Sequence, residues 1–320
     1  MVQNKPRLSI GLPVFNGEKY LRQALDSILV QTYKDFEIII SDNASTDKTE
    51  QICLEYLKKD DRIIYYRNKK NLGFPANYNQ TFWLSRGEYF KWAAHDDVLA
   101  PEYLEKCIYV LDNDQTIVLC HSRVRQIDKN GVSVGNYDDK TLHRLGSFKP
   151  HERFADLISP RNQCWAIHAV VRSSCLKKTP LHGSYLDADR NLLAELGLIG
   201  RMYEIREHLF FRRDHPQSYT NIFYSKNIIP DYRNQLVWWT GSRTKKLIVL
   251  PHVKNCIEFF NSVNRVPMKL SERLLCSREI CRWILREGGR QWMKWDFVNE
   301  FLIWRIKLDY GHTDKKYLVG

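Results

Sequence analysis

The chain has 320 residues, a hydrophobic fraction of 43%, an aromatic fraction of 12% and a formal charge of +12. That composition can bury a core and excludes a chain too polar to fold; the length suits one large domain, or a domain with an extension. No apolar run reaches the roughly 18 residues a transmembrane helix needs, so any membrane contact is expected to be peripheral.

In chain order, Leu8–Pro13 reads as a short buried strand ended by proline. Tyr20, Leu21, Ala24, Leu25, Ile28 and Leu29 then fall on one face of a helix over Glu18–Val30. Phe36–Ser41 is a second strand. Asp47, with Glu50 three residues on, predicts an N-cap and a helix to Lys59. Ile63–Tyr66 is a third strand. A helix over Pro75–Leu84, a strand over Glu88–Ala93, a helix over Pro101–Leu111 and a strand over Ile117–His121 follow. Asp128–Gly131 looks like a hairpin turn. Four rounds of strand and helix predict an α/β fold with a mostly parallel sheet.

Beyond Asp139 the pattern changes. Helices are expected over His151–Ile158 and Asp187–Gly197, and a strand over Leu209–Arg213. From Lys226 the chain reads as helical segments broken near Pro251, Pro267 and Gly288-Gly289. The last segment, Gln291–Leu308, carries Trp292, Trp295, Phe301, Leu302 and Trp304 without one clean apolar stripe. The charge is uneven: residues 1–145 hold 20 basic and 20 acidic residues, whereas 146–320 hold 29 and 17. Seven of the nine tryptophans also lie in this basic part. It suggests contact with an anionic surface, lipid or phosphorylated acceptor; a solvated basic surface over an aromatic core is the plainer reading. The eight cysteines form no C-x-x-C pair, and the N-terminal residues lack the apolar stretch of a signal peptide. A cytoplasmic protein is therefore expected, at the inner face of a membrane where it makes contact.

The chemistry is expected at strand ends. Lys91–Ala94 leads into His95-Asp96-Asp97, and paired acids at a strand end repel each other and lose hydration. A divalent cation with bound phosphates is the usual compensation. Asp42 ends the second strand on the same side of a parallel sheet and can accept from a base or ribose. Ser45 and Asp47 read as turn and cap residues. Neither the G-x-G-x-x-G of a dinucleotide fold nor a P-loop is present after the first strand.

Pro13-Val14-Phe15-Asn16, Tyr20-Leu21, Ser27-Ile28, Gln31-Thr32-Tyr33, Phe36-Glu37-Ile38 and Ser41–Asp47 together resemble the N-terminal signature of family 2 glycosyltransferases. Asn71-Leu72-Gly73 with Asn77, and Ala94-His95-Asp96-Asp97, match its next blocks, over residues 7–125 in all. His95 departs from a strict D-x-D, so the direct metal contact implied by the resemblance rests mainly on Asp97, with Asp96 on the sugar side. The resemblance implies a GT-A fold: a Rossmann-like sheet flanked by helices, with a nucleotide-sugar half at 1–125, an acceptor half at 126–225 and a helical extension at 226–320. It implies transfer, with inversion, of a sugar from a nucleoside diphosphate, UDP by default. It assigns Pro13, Phe15, Asn16, Glu18, Asp42, Arg67, Asn71, Asn77 and Asp96 to the donor, and Asp97 to Mg²⁺ or Mn²⁺.

Gly183–Arg190 resembles the family's acceptor-side block. A hydroxyl acceptor needs a base, so Asp189 is the expected one and Asp187 its rival. The alternative is that both only stabilise a helix N-terminus, by about 0.3–1 kcal/mol. Arg212-Arg213-Asp214-His215 resembles a block that contacts phosphate: Arg212 and Arg213 are expected on the donor and His215 in the metal shell. His121, His143 and His168 lack such context and read as structural. The expected partners are a nucleotide sugar and a glycan or lipid-linked acceptor, with no nucleic acid. A nucleotidyltransferase, a salt-sensitive nucleic-acid binder and a non-catalytic nucleotide-sugar-binding module are the rival readings.

Overall fold

A computed structural model describes residues 5–137, 142–218, 221–222, 232–240, 250–285, 290, 293–298 and 300–301. Strands β1 (Leu8–Val14), β2 (Phe36–Asp42), β3 (Ile63–Arg67) and β4 (Tyr89–Trp92) lie parallel in the order β3-β2-β1-β4. Helices α1 (Leu21–Leu29), α2 (Thr49–Leu57) and α3 (Phe74–Trp83) make the crossovers. β1 and β2 are buried along their whole length, as continuous apolar runs require. α3 lies so close to β1 that a Cβ on Gly11 would stand 2.3 Å from Thr81 Oγ1.

Two helix starts differ from expectation. α1 begins at Leu21 rather than Glu18, because the Tyr20 and Leu21 amides both bond the Gly17 carbonyl and close a turn first. Lys48, not Asp47, is the N-cap of α2; Asp47 precedes it and accepts the Thr49 amide at 3.0 Å.

The second half contains β5 (Val98–Leu99), α4 (Tyr103–Asn113), β6 (Ile117–Ile127), β7 (Ser133–Tyr137), α5 (Pro150–Leu157), β8 (Val170–Arg172), α6 (Ser173–Leu176), α7 (Ala188–Ile199) and β9 (Arg201–Arg213). The sheet continues β4-β8-β6-β9-β5, with β7 on β6. β9 runs parallel to β6, while β8, β7 and β5 are antiparallel to their neighbours. The expected turn is present: Asp128 Oδ1 accepts the Asn130 and Val132 amides, both at 2.8 Å.

Helices α8 (Tyr232–Thr240), α9 (Pro251–Arg265) and α10 (Leu270–Leu285) follow. Pro251 opens α9 and Pro267 separates α9 from α10, as expected. Gly288-Gly289 lies outside the described residues, as do Trp292, Leu302 and Trp304. Among the described residues no helix is long and apolar enough to cross a membrane.

Two cores flank the sheet. One gathers residues of α1, α2 and α4, such as Leu25, Cys53 and Leu104. The other joins Phe154 of α5 and Leu193 of α7 to Phe259 of α9 and Trp283 of α10. The C-terminal helices thus complete the same core as the sheet. Phe259 is fully buried, its ring 6.1 Å from Phe154 and 5.5 Å from Trp283. Phe259→Ala is expected to cost about 3–5 kcal/mol in urea unfolding. It should shift one common transition; separate transitions for sheet and C-terminal helices would show that the core is not shared.

Candidate functional site

A cavity of about 600 Å³ opens at the C-terminal ends of β1, β2 and β4. This is the side of a parallel sheet on which ligands bind, next to the strand where the crossovers change direction. Pro13–Gly17 forms one wall. Asn16 takes a left-handed backbone conformation at φ 51°, which asparagine tolerates. Its Oδ1 accepts the Thr46 amide at 2.8 Å, so the loops after β1 and β2 hold each other. A Cβ on Gly17 would lie 2.6 Å from Val14 Cγ2 and 2.8 Å from His95 Cδ2, so glycine lets the β1 loop meet the β4 end. Phe15, half-exposed, offers the cavity a flat apolar face.

The acid pair forms the floor beside it. Asp96 lines the cavity, with its Oδ2 2.9 Å from His215 Nε2. Asp97 does not line it: its Oδ1 accepts the Arg213 amide at 2.9 Å. Burial works against ionising Asp96, but His95 and the His215 hydrogen bond outweigh it and hold the carboxyl at about 2. Burial, then the Asp96 charge, pushes Asp97 up to about 8. Of the two acids, Asp96 is the carboxylate open to the cavity, while Asp97 is engaged by the β9 end.

A divalent cation fits this floor, since two acids share it and one cannot readily ionise. The described residues bring no three His, Cys, Asp or Glu side chains together as a metal cage. Asp96 and His215 would therefore hold a cation that takes its remaining ligands from phosphate oxygens and water, the habit of Mg²⁺. Three more polar atoms on this wall, Tyr20 Oη, His215 Nδ1 and Ser218 Oγ, are buried without a partner. Each such atom costs about 1–3 kcal/mol, which a ligand bearing oxygens would offset.

Of the expected donor residues, Pro13, Phe15, Asn16, Asn71, Asn77 and Asp96 line the cavity. Asn77 accepts from Ser41 Oγ at 2.7 Å and donates to the Ser41 carbonyl at 3.0 Å, so it also ties α3 to β2. Glu18 instead accepts the Lys48 amide at 3.0 Å, at the start of α2. Asp42 is 0% exposed and occupied, taking the Ser45 amide at 2.8 Å, Tyr65 Oη at 2.9 Å and Arg67 Nε at 3.3 Å. Arg67 also donates to the Ser45 carbonyl at 2.7 Å, so the Asp42–Arg67 pair braces the loop.

Arg213 is likewise engaged by protein groups. It donates to the Asp96 carbonyl at 2.8 Å and to Gln23 Oε1 at 2.6 Å, and stacks 4.7 Å from the Tyr20 ring centroid. Arg212 stacks over Trp165 at 5.0 Å, away from the cavity. Sequence reasoning missed Asn43, Tyr20, Tyr78, Gln217 and Ser218, all on the wall. Gln217 and Ser218 could have been found, because they continue the run that ends in His215.

Asp187 and Asp189 open α7, with Asp187 in a left-handed conformation at φ 57°. Neither lines the cavity. Tyr78 does, and the charges of Asp96, Asp97 and Asp189 all reinforce the rise that burial gives its hydroxyl pKa. Tyr78 therefore stands within electrostatic reach of both acid groups. Burial, then the Asp187 charge, pushes the Asp189 carboxyl up to about 6.

Residues 9–175 match the family model described as Glycosyl transferase family 2. An uncharacterized glycosyltransferase of Methanocaldococcus jannaschii is 41% identical over 181 residues, 56% of this chain and 58% of that protein. The chain spans about half the length of the curated relatives it matches. Among solved structures, Staphylococcus aureus TarS 1–349 in complex with UDP is similar with a TM-score of 0.61 at 14% identity, covering 88% of this chain and 72% of that one. The mannosyltransferase PcManGT of Pyrobaculum calidifontis, in complex with GDP-Man and Mn²⁺, reaches 0.50 at 14% identity, over 97% and 89%.

Asp189 sets a stability test. With its folded pKa at about 6 and an unfolded value near 3.8, the native state holds the extra proton between those limits. Stability therefore falls as pH rises through this window, and the loss is complete above it. Asp189→Asn should raise the melting temperature at pH 8 and leave it unchanged at pH 4. An equal effect at both would show that the acid is not strained.

Proposed function

The chain belongs to glycosyl transferase family 2, and on that premise we propose that it transfers a sugar from a nucleoside diphosphate to a hydroxyl acceptor. The observation that carries this reading is Asp96 on the cavity floor, beside His215 and three unpartnered polar atoms. The nucleoside would lie against Phe15, with Asn43 and Asn71 offering amide groups to its edge. UDP sugars and GDP-mannose are the donors to try first, by analogy with the ligands of TarS and PcManGT.

Asp96 and His215 would hold Mg²⁺ or Mn²⁺ against the diphosphate, with Asp97 keeping Arg213 and the β9 end in place. Such a cation offsets the charge that develops on a leaving diphosphate. Asp189 is the base in this scheme. Its pKa near 6 leaves it ionised at neutral pH yet basic enough to accept the acceptor's proton. The hydroxyl oxygen would bond to the anomeric carbon as the bond to the diphosphate breaks, so one displacement inverts that centre. A glycan or lipid-linked acceptor, as in surface-polysaccharide synthesis, is supported by the positive charge of residues 146–320.

The test is transfer or donor hydrolysis with a panel of UDP and GDP sugars plus Mn²⁺. Asp96→Asn should lose cation-dependent turnover and the joint stabilisation by Mn²⁺ and nucleotide; a fully active variant would remove Asp96 from the site. Asp189→Asn should bind donor normally while turnover drops about 10²-fold or more. In the parent, kcat/KM should rise with pH through about 6 and then level. A flat profile there, or undiminished transfer by Asp189→Asn, would exclude Asp189 as the base.

A further inference from the structure

Helix α10 turns one apolar face inward and a second one outward. Cys276, Ile280 and Trp283 are buried in the core. Leu270, Leu274 and Leu285 are 70%, 62% and 76% exposed. With about 3.6 residues per turn, these leucines and exposed Cys281 fall within roughly 60° of arc, opposite the buried face. At about 1.5 Å per residue the stripe runs roughly 22 Å.

Charge of one sign lies along one edge of it. Arg278 and Arg282 stand there with half-exposed side chains, each also paired with Glu279, at 3.4 and 2.7 Å. The acids of the helix turn away: Glu279 is buried beneath both arginines, and Glu272 meets His151 at 2.9 Å. Single surface leucines are ordinary, but an aligned stripe edged by arginines marks a contact surface. Two copies meeting through it about a two-fold axis would gather Arg278 and Arg282 of both. An anionic layer suits it better, with leucines entering the headgroup boundary and arginines meeting phosphate. The chain's whole surplus of +12 lies in residues 146–320, the part that carries α10.

We propose that α10 is a docking helix that seats the protein on anionic phospholipid through Leu270, Leu274 and Leu285. None of these residues lines the cavity, so the surface is separate from the transfer site.

The test is flotation of the full chain with vesicles of phosphatidylcholine alone or mixed with phosphatidylglycerol. Binding should need phosphatidylglycerol and weaken with salt, as the screening length falls from about 10 Å at 0.1 M to about 3 Å at 1 M. Replacing all three leucines with serine should cut partitioning roughly tenfold or more, while stabilisation by Mn²⁺ and nucleotide stays unchanged. Absent binding, binding indifferent to phosphatidylglycerol, or full binding by the triple variant would overturn the proposal. So would light scattering showing that the triple change turns a lipid-free dimer into a monomer, because the stripe would then join two copies.

Discussion

Two carboxylates at one strand end, drawn partly out of water, repel each other, and the rest of the site is arranged around that repulsion. The protein answers it asymmetrically. Asp96 receives His215 and stays ionised, while Asp97 receives a backbone amide and resists ionisation. Both partners come from the end of β9 and the turn beyond it. The parallel pairing of β9 with β6, and the short bridge of β5 to β9, put that end opposite β4. Arg213 then fastens the two ends through the Asp96 carbonyl, Gln23 and the Tyr20 ring. An arginine used this way is a pin between strands, and it leaves His215 and Ser218 on the cavity wall.

The other wall is held by amides rather than charges. Asn43 donates to Asn71 Oδ1 at 2.9 Å and accepts the Leu72 amide at 2.8 Å, while Asn68 donates to Asn77 Oδ1 at 3.0 Å. Each amide both donates and accepts, so a small set of asparagines can fix a loop that has no regular structure. Asp42 serves the neighbouring loop in the same spirit. Its oxygens are fully engaged by Ser45, Tyr65 and Arg67, and its side chain meets no solvent. The cavity thus has a pre-formed shape, with its open polar groups concentrated on the Asp96 side.

Much of this was legible in the sequence where one strand or one loop decides the matter. β1, β2 and β4 are buried on both faces, so their apolar runs and the acids that end them could be read directly. Pro13 to Asn16 and the Asn71 and Asn77 positions came instead from the resemblance to family 2 glycosyltransferases. What could not be read depends on non-local pairing. β5 and β8 have two and three residues, too few for any period, and the charged first half of β9 becomes a strand only because β6 lies beside it. Asp42, Arg67 and Arg213 are residue types that bind ligands, and nothing local says that protein groups occupy them first. The placing of Asp96 on the cavity and of Asp97 against the Arg213 amide has the same origin, because it turns on where β9 ends.

The C-terminal helices bear on the candidate acids through α7. Asn191 donates to Asn255 at 2.8 Å, and buried Glu195 accepts from Ser262 at 2.7 Å and pairs with Arg265. Those contacts anchor the helix whose first turn holds Asp189. A carboxyl kept near 6 by burial and by a neighbouring acid must be held against its own tendency to swing into water. The buried α7–α9 contacts, together with the core around Phe259, supply that restraint. α8 adds a second brace, since Trp239 stacks 4.5 Å from Phe74 and donates to the Gly183 carbonyl at 3.2 Å, just ahead of Asp187. The C-terminal helices therefore hold the start of α7 in place, and burial raises the cost of ionising an acid at two points of the fold, Asp97 after β4 and Asp189 at the start of α7.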